Sequence, residues 1–232
     1  MTSNRKVSKL QAGLTGRGSG AILRVNEIFY SIQGESSYSG LPCVFVRLAE
    51  CNLRCVYCDT AYAFHEWTEI PIDRVVEEAD RYRCELVEVT GGEPLLQPGA
   101  ITLMQQLIAR GKKVLLETGG SLDISAVPAQ VTIILDLKTP GSGMAQHNLW
   151  SNLDCLKPAD QIKFVVCDRA DYEWTREMIR QHRLDERFLV LISPVWGSNP
   201  AQVADWILQD HLKVRFQTQL HKWIWGAEKR GV

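Results

Sequence analysis

Short apolar runs that stop abruptly at glycine-rich or polar residues, with helical periodicity between them, constrain this chain more than any other feature. Leu86 to Thr90 closes on Gly91-Gly92-Glu93-Pro94, Val114 to Glu117 on Thr118-Gly119-Gly120, and Val131 to Leu137 on Lys138-Thr139-Pro140-Gly141. Phe188 to Ile192 closes on Ser193-Pro194-Val195-Trp196-Gly197. Ile22 to Ile32, Cys43 to Leu48, Gln161 to Val166 and Val214 to Thr218 also read as strands. Ile72, Val75, Val76 and Ala79 repeat at helical spacing behind Pro71, and a second helix carries Ile101, Met104, Leu107 and Ile108 to a stop at Gly111. Further helices are predicted from about Asp171 to His182 and from Asn199-Pro200 onward. Such alternation predicts an α/β fold with a parallel sheet, and barrel-like α/β proteins gather their ligands at the carboxyl ends of the strands, where the glycines and polar residues recur here. The strands are too few for a complete eightfold barrel. No solenoid-type repeat or linker divides the chain, so residues 21–232 read as a single domain. Residues 1–20, with Arg5, Lys6, Lys9 and Arg17 but no acid, read as a mobile leader.

One loop concentrates soft ligands. Cys51, Cys55 and Cys58 follow the spacing Cys-x3-Cys-x2-Cys, and no fourth Cys or His stands at zinc-site distance. A cubane iron-sulfur cluster fits this set, with three thiolates on three irons and the fourth iron open to a small molecule. A zinc knuckle and a chance cluster of buried cysteines remain the alternatives. Cys43, Cys84, Cys155 and Cys167 are solitary, and a total of seven is no disulfide framework, so a reducing compartment, the cytoplasm, is expected. Lys and Arg total 26 against 27 Asp and Glu, a balance that argues against a general nucleic-acid surface. No apolar run approaches the roughly 20 residues of a membrane span.

The cysteine spacing, with Tyr57 directly before the last thiol, resembles the radical S-adenosylmethionine enzymes. The resemblance implies a partial (β/α)6 TIM-like barrel, one [4Fe-4S] cluster and S-adenosylmethionine bound at the open iron. It also implies cofactor contacts from Tyr57, Cys58, Asp59 and Gly92, with Glu93 and the turn carbonyls accepting from the methionine ammonium. Asp136, Leu137 and Lys138 stand where similar proteins often have Ser-Pro-Lys, so backbone contacts are expected there. Ile32-Gln33-Gly34-Glu35, Arg47, Cys58-Asp59-Thr60 and Gln219-Leu220-His221-Lys222, in this order, resemble one branch of the superfamily from about Val25 to Gly226. Members of that branch contract a carboxylated tetrahydropterin to a 7-deazapurine acid with loss of ammonia, on the route to queuosine. The branch implies Mg2+ at Thr60 and substrate contacts from Ile32, Gln33, Gly34, Arg47, Thr90 and His221. A flavodoxin-type reductant and a homodimer are expected with it. Arg47 offers a planar fork suited to a carboxylate. His221 is read as ending the last strand, and Trp223 to Gly226 as closing the barrel bottom or joining a dimer contact. His65, His147, His182 and His211 read as surface or structural residues. A glycyl-radical activase, which often carries an inserted ferredoxin-like cysteine set, and a non-enzymatic iron-sulfur or zinc module are the rival readings.

Overall fold

The computed structural model describes residues 20–232; the basic leader, apart from Gly20, lies outside the described residues. In chain order the elements are β1 (Ile22–Ile32), β2 (Pro42–Leu48), β3 (Thr68–Pro71), α1 (Ile72–Arg81), β4 (Leu86–Gly91), α2 (Gly99–Ala109), β5 (Lys113–Thr118) and β6 (Thr132–Leu137). They continue with β7 (Gln161–Val166), α3 (Arg169–His182), α4 (Leu184–Arg187), β8 (Leu189–Pro194), α5 (Pro200–Gln209), β9 (Arg215–Phe216) and α6 (Leu220–Trp225). The helices form where the sequence places caps and periodicity. Asp168 accepts the Asp171 N–H at the start of α3, and Asn199 accepts the Ala201 N–H at the start of α5. Ile72, Val75, Val76 and Ala79 form the buried face of α1.

One nine-stranded sheet runs in the order β3-β1-β2-β4-β5-β6-β7-β8-β9. β1 is antiparallel to β2 and β3, and every pairing from β2 to β9 is parallel. β3 and β9 are the two edges and do not pair, so the barrel is partial and open. Alternation along each strand gives the two faces of the sheet different jobs. The outward set, including Val44, Val46, Val87, Val89, Leu116, Leu135 and Phe164, is apolar and packs with helix residues such as Val75, Leu103 and Tyr172. The inward set changes character along the strands. Phe29, Cys43, Phe45, Leu86, Leu115 and Ile134 make a separate apolar plug. Two residues after Phe45, Leu86, Leu115 and Ile134, on the same face, come Arg47, Glu88, Glu117 and Asp136. The plug thus forms a dry floor, with the charged residues above it at the carboxyl ends.

The strict alternation of strand and helix fails at two crossovers. No α-helix lies between β5 and β6, and only short 3₁₀ turns lie between β6 and β7. Asn152 replaces the missing helical hydrogen bonds there, donating to the Gly120 and Leu122 carbonyls and accepting from the Ile124 N–H. β9 is also shorter than the predicted Val214 to Thr218. The Gln217 N–H still bonds to the Ile192 carbonyl at 3.0 Å, while its side-chain amide bridges the Ser193 hydroxyl and the Ser36 N–H, tying the segment before α6 to the loop after β1.

Candidate active site

The carboxyl ends of the strands surround a cavity of about 700 Å³. Every candidate residue named from the sequence lines it except Leu137, whose side chain is buried in the outward core. The cysteine loop leaves β2 through Glu50, at φ 68°, and is stitched by Cys58 N–H to Cys55 O at 3.1 Å and Val56 N–H to Ser142 O at 3.1 Å. Cys51, Cys55 and Cys58 are free, partly buried thiols. Burial pushes the Cys51 and Cys55 thiols up, and the Lys138 ammonium works against this for both. Three free thiols on one partly buried loop, all lining the cavity, are a donor set that fits a cluster with three thiolate-bound irons and one open iron.

The double glycine serves the loop itself. A Cβ on Gly92 would lie 2.1 Å from the Glu50 carbonyl oxygen and 2.8 Å from the Cys51 Cβ, so only glycine lets β4 lie this close to the cysteines. Glu93 is fully buried and accepts from the Thr118 hydroxyl at 2.8 and 2.9 Å, the Gly119 N–H at 2.8 Å and the Leu95 N–H at 3.1 Å. Its carboxylate joins two turns through these three donors and still lines the cavity. At residues 136–138, both backbone groups of Lys138 bond to the Asn148 amide at 2.9 Å, and the side chains of Asp136 and Lys138 line the cavity. Asp136 Oδ2 meets Lys138 Nζ at 3.1 Å, and Asp136 Oδ1 is buried with no partner. A buried acceptor left open beside the cysteine loop fits a donor on a bound cofactor.

Across the cavity, Arg47 Nε donates to Glu27 Oε1 at 2.8 Å, and the Tyr62 hydroxyl donates to the same oxygen at 3.0 Å. This orients the guanidinium and leaves its terminal nitrogens for a ligand. Thr60 stands with its hydroxyl 3.7 Å from Cys58 Sγ. Asp59 accepts from Lys222 Nζ at 2.6 Å and Gln219 Nε2 at 3.1 Å. Burial would raise its pKa, but Lys222 and Gln219 pull it down to about 2. Gln33 is buried, with Nε2 donating to Glu88 and Oε1 accepting the Glu35 N–H at 2.7 Å, so its side chain braces the wall.

His221 does not end a strand; it belongs to α6, whose Leu220 N–H bonds to Gly34 O at 3.0 Å. Because Trp223 packs on Trp196 and Lys222 on Asp59, α6 covers the cavity mouth and does not close the barrel bottom. The tail from Ala227 to Val232 lines the cavity as well. Glu88, Glu117 and Lys163 were not singled out from the sequence as site side chains. Their signal was present: a charge within an apolar strand, one inward step beyond a plug residue or, for Lys163, beyond Gln161.

The radical SAM superfamily model matches residues 47–141. The 7-carboxy-7-deazaguanine synthase of Koribacter versatilis is 43% identical, the match covering 90% of this chain and 100% of that protein. The enzyme of the same name from Chlorobaculum tepidum is 45% identical, with 91% and 98% covered. Among solved structures, QueE from Escherichia coli has the same fold, with a TM-score of 0.72 at 20% identity over 86% of this chain and 95% of that one.

Proposed function

Because the chain belongs to the 7-carboxy-7-deazaguanine synthase family of radical S-adenosylmethionine enzymes, we propose that its cavity converts 6-carboxy-5,6,7,8-tetrahydropterin to 7-carboxy-7-deazaguanine and ammonia. Family membership brings a [4Fe-4S] cluster and S-adenosylmethionine, which together supply hydrogen-atom abstraction from the substrate. The observation that carries the reading is that Arg47, held by Glu27 and Tyr62, opens its terminal nitrogens onto the same cavity as Cys51, Cys55 and Cys58. The cysteines hold the cluster. Tyr57, Cys58, Asp59, Gly92, Asp136 and Lys138 surround S-adenosylmethionine, with Asp136 Oδ1 as an acceptor and Leu137 contributing backbone. Arg47 binds the pterin carboxylate, and Ile32, Gln33, Gly34, Thr90 and His221 shape the ring pocket. Thr60 offers its hydroxyl to Mg2+, a hard ion that takes oxygen ligands from substrate and water alongside few from protein.

A flavodoxin-type reductant, a homodimer and a cytoplasmic location complete the proposal; among the described residues, no helix is long and apolar enough to cross a membrane. The activase and electron-transfer readings lack comparable support from the relatives. The test is anaerobic reconstitution followed by product analysis with 6-carboxytetrahydropterin, with and without Mg2+. Turnover should rise with Mg2+ while S-adenosylmethionine cleavage without substrate hardly responds, and Thr60→Ala should blunt the Mg2+ response. A fully loaded protein that cleaves S-adenosylmethionine but never consumes the pterin would overturn the substrate assignment.

A further inference from the structure

We infer that Lys163 is a positioning residue that ties the substrate wall of the cavity to its cofactor wall, one buried ammonium holding the carboxylates of Glu35, Glu117 and Asp136. The inference rests on the reading of the cavity given above. Lys163 lies on β7 with only 6% of its side chain exposed, and its Nζ stands 2.8 Å from Glu35 Oε2, 2.5 Å from Glu117 Oε1 and 3.3 Å from Asp136 Oδ2. The three acids come from the loop after β1, the end of β5 and the end of β6. Asp136 is the direct register partner of Lys163 across the β6–β7 pair, so the sheet itself sets that contact.

Lys163 engages one oxygen of each acid. The second oxygen of Glu35 accepts from Gln219 Nε2 at 2.9 Å, and that of Glu117 accepts from the Thr90 hydroxyl at 3.3 Å. The second oxygen of Asp136 has no protein partner. Glu35 and Glu117 thereby belong to the wall of Gly34, Thr90 and His221, whereas Asp136 belongs with Lys138 to the wall beside Cys55. Burial alone would lower the Lys163 pKa, but Glu117, Glu35 and Asp136 raise it well above the usual lysine value. Charges this deep are retained only when mutually paired. Without Lys163, Glu35 and Glu117 would have no ammonium partner, and the acids would repel one another or take up protons. In either case the acceptors offered to the ring N–H groups of a pterin and to a donor on the cofactor would move together.

The experiment compares wild type with Lys163→Met, both cluster-loaded, by anaerobic calorimetry with S-adenosylmethionine alone, the pterin alone, and the pterin after S-adenosylmethionine. Lys163→Met should keep its iron but bind each ligand about tenfold or more weakly, and any effect of one ligand on the affinity for the other should vanish. Adding Glu117→Gln should recover part of the pterin affinity, because it removes one uncompensated charge; a merely structural lysine would give no such rescue. Loss of one ligand only, or of neither, overturns the inference. If Lys163→Met does not fold, Lys163→Arg carries the test. It should keep both ligands within about threefold by preserving the charge, and a tenfold loss of both in a folded Arg variant also overturns the inference. Wild-type protein that fails to turn over the pterin would count against the functional reading instead.

Discussion

Arg47 enters the cavity with its Nε already paired to Glu27 at 2.8 Å, so it is oriented before any ligand arrives. Arg47→Ala should therefore remove a charge-assisted pair of bonds to the substrate carboxylate, and it should also lower Tm by leaving the mostly buried Glu27 carboxylate without its guanidinium. The expected loss is about 1.5–3 kcal/mol of pterin affinity, roughly one to two decades. Calorimetry with each ligand checks this, and equal weakening of pterin and S-adenosylmethionine would make Arg47 a structural residue. The cysteines divide just as sharply. Cys51, Cys55 and Cys58 face the cavity, while Cys43 belongs to the apolar plug and Cys155 is exposed. Cys55→Ala should abolish the cluster absorbance and cofactor cleavage, and Cys155→Ser should leave iron content and activity unchanged. Full iron and intact activity in Cys55→Ala would refute the ligand set.

At the scale of an element, α6 is seated by one glycine. A Cβ on Gly34 would stand 2.2 Å from His221 Nδ1 and 3.1 Å from the His221 backbone nitrogen, so the helix rests directly on this turn. Gly34→Ala should push α6 outward, raising the pterin KM with little change in iron content. Combining it with His221→Ala should recover part of the α6 seating, visible as a Tm above that of Gly34→Ala alone. A Gly34→Ala protein with unchanged KM would show that α6 does not shape the pocket. The Asp59–Lys222 bond at 2.6 Å ties the same helix to the cluster loop. Periodicity in the sequence located the long elements, since α1, α2 and α3 each show helical spacing or a cap. It could not distinguish a strand end from a short helix at residues 219–225, because six residues span too few turns to display a period.

Over the whole molecule, the buried charges make stability depend on pH. Burial lowers the His221 pKa below its usual 6.5, although Glu35 and Asp59 oppose the shift. The unfolded chain then takes up this proton at a higher pH than the folded one. The contribution of His221 is present above about pH 6.5 and is lost as pH falls through the folded-state value. The Tm of wild type should thus fall more steeply than that of His221→Gln from roughly pH 8 to pH 5; parallel profiles would show that His221 does not titrate differently on folding. The sequence by itself determined the class of fold and the cluster loop. Apolar runs of period two, helices between them and thiols within eight residues are local patterns, readable because side-chain direction follows from position along one element. It also supplied most of the residues that line the cavity, through short motifs at strand ends. Only the tertiary structure decided which of those groups are free. Gln33, Glu93 and the Lys138 backbone are already bonded, while Asp136 Oδ1 and the outer nitrogens of Arg47 remain open. Partners brought from strands or loops tens of residues away settle that, and no local pattern in the chain announces which distant group will arrive.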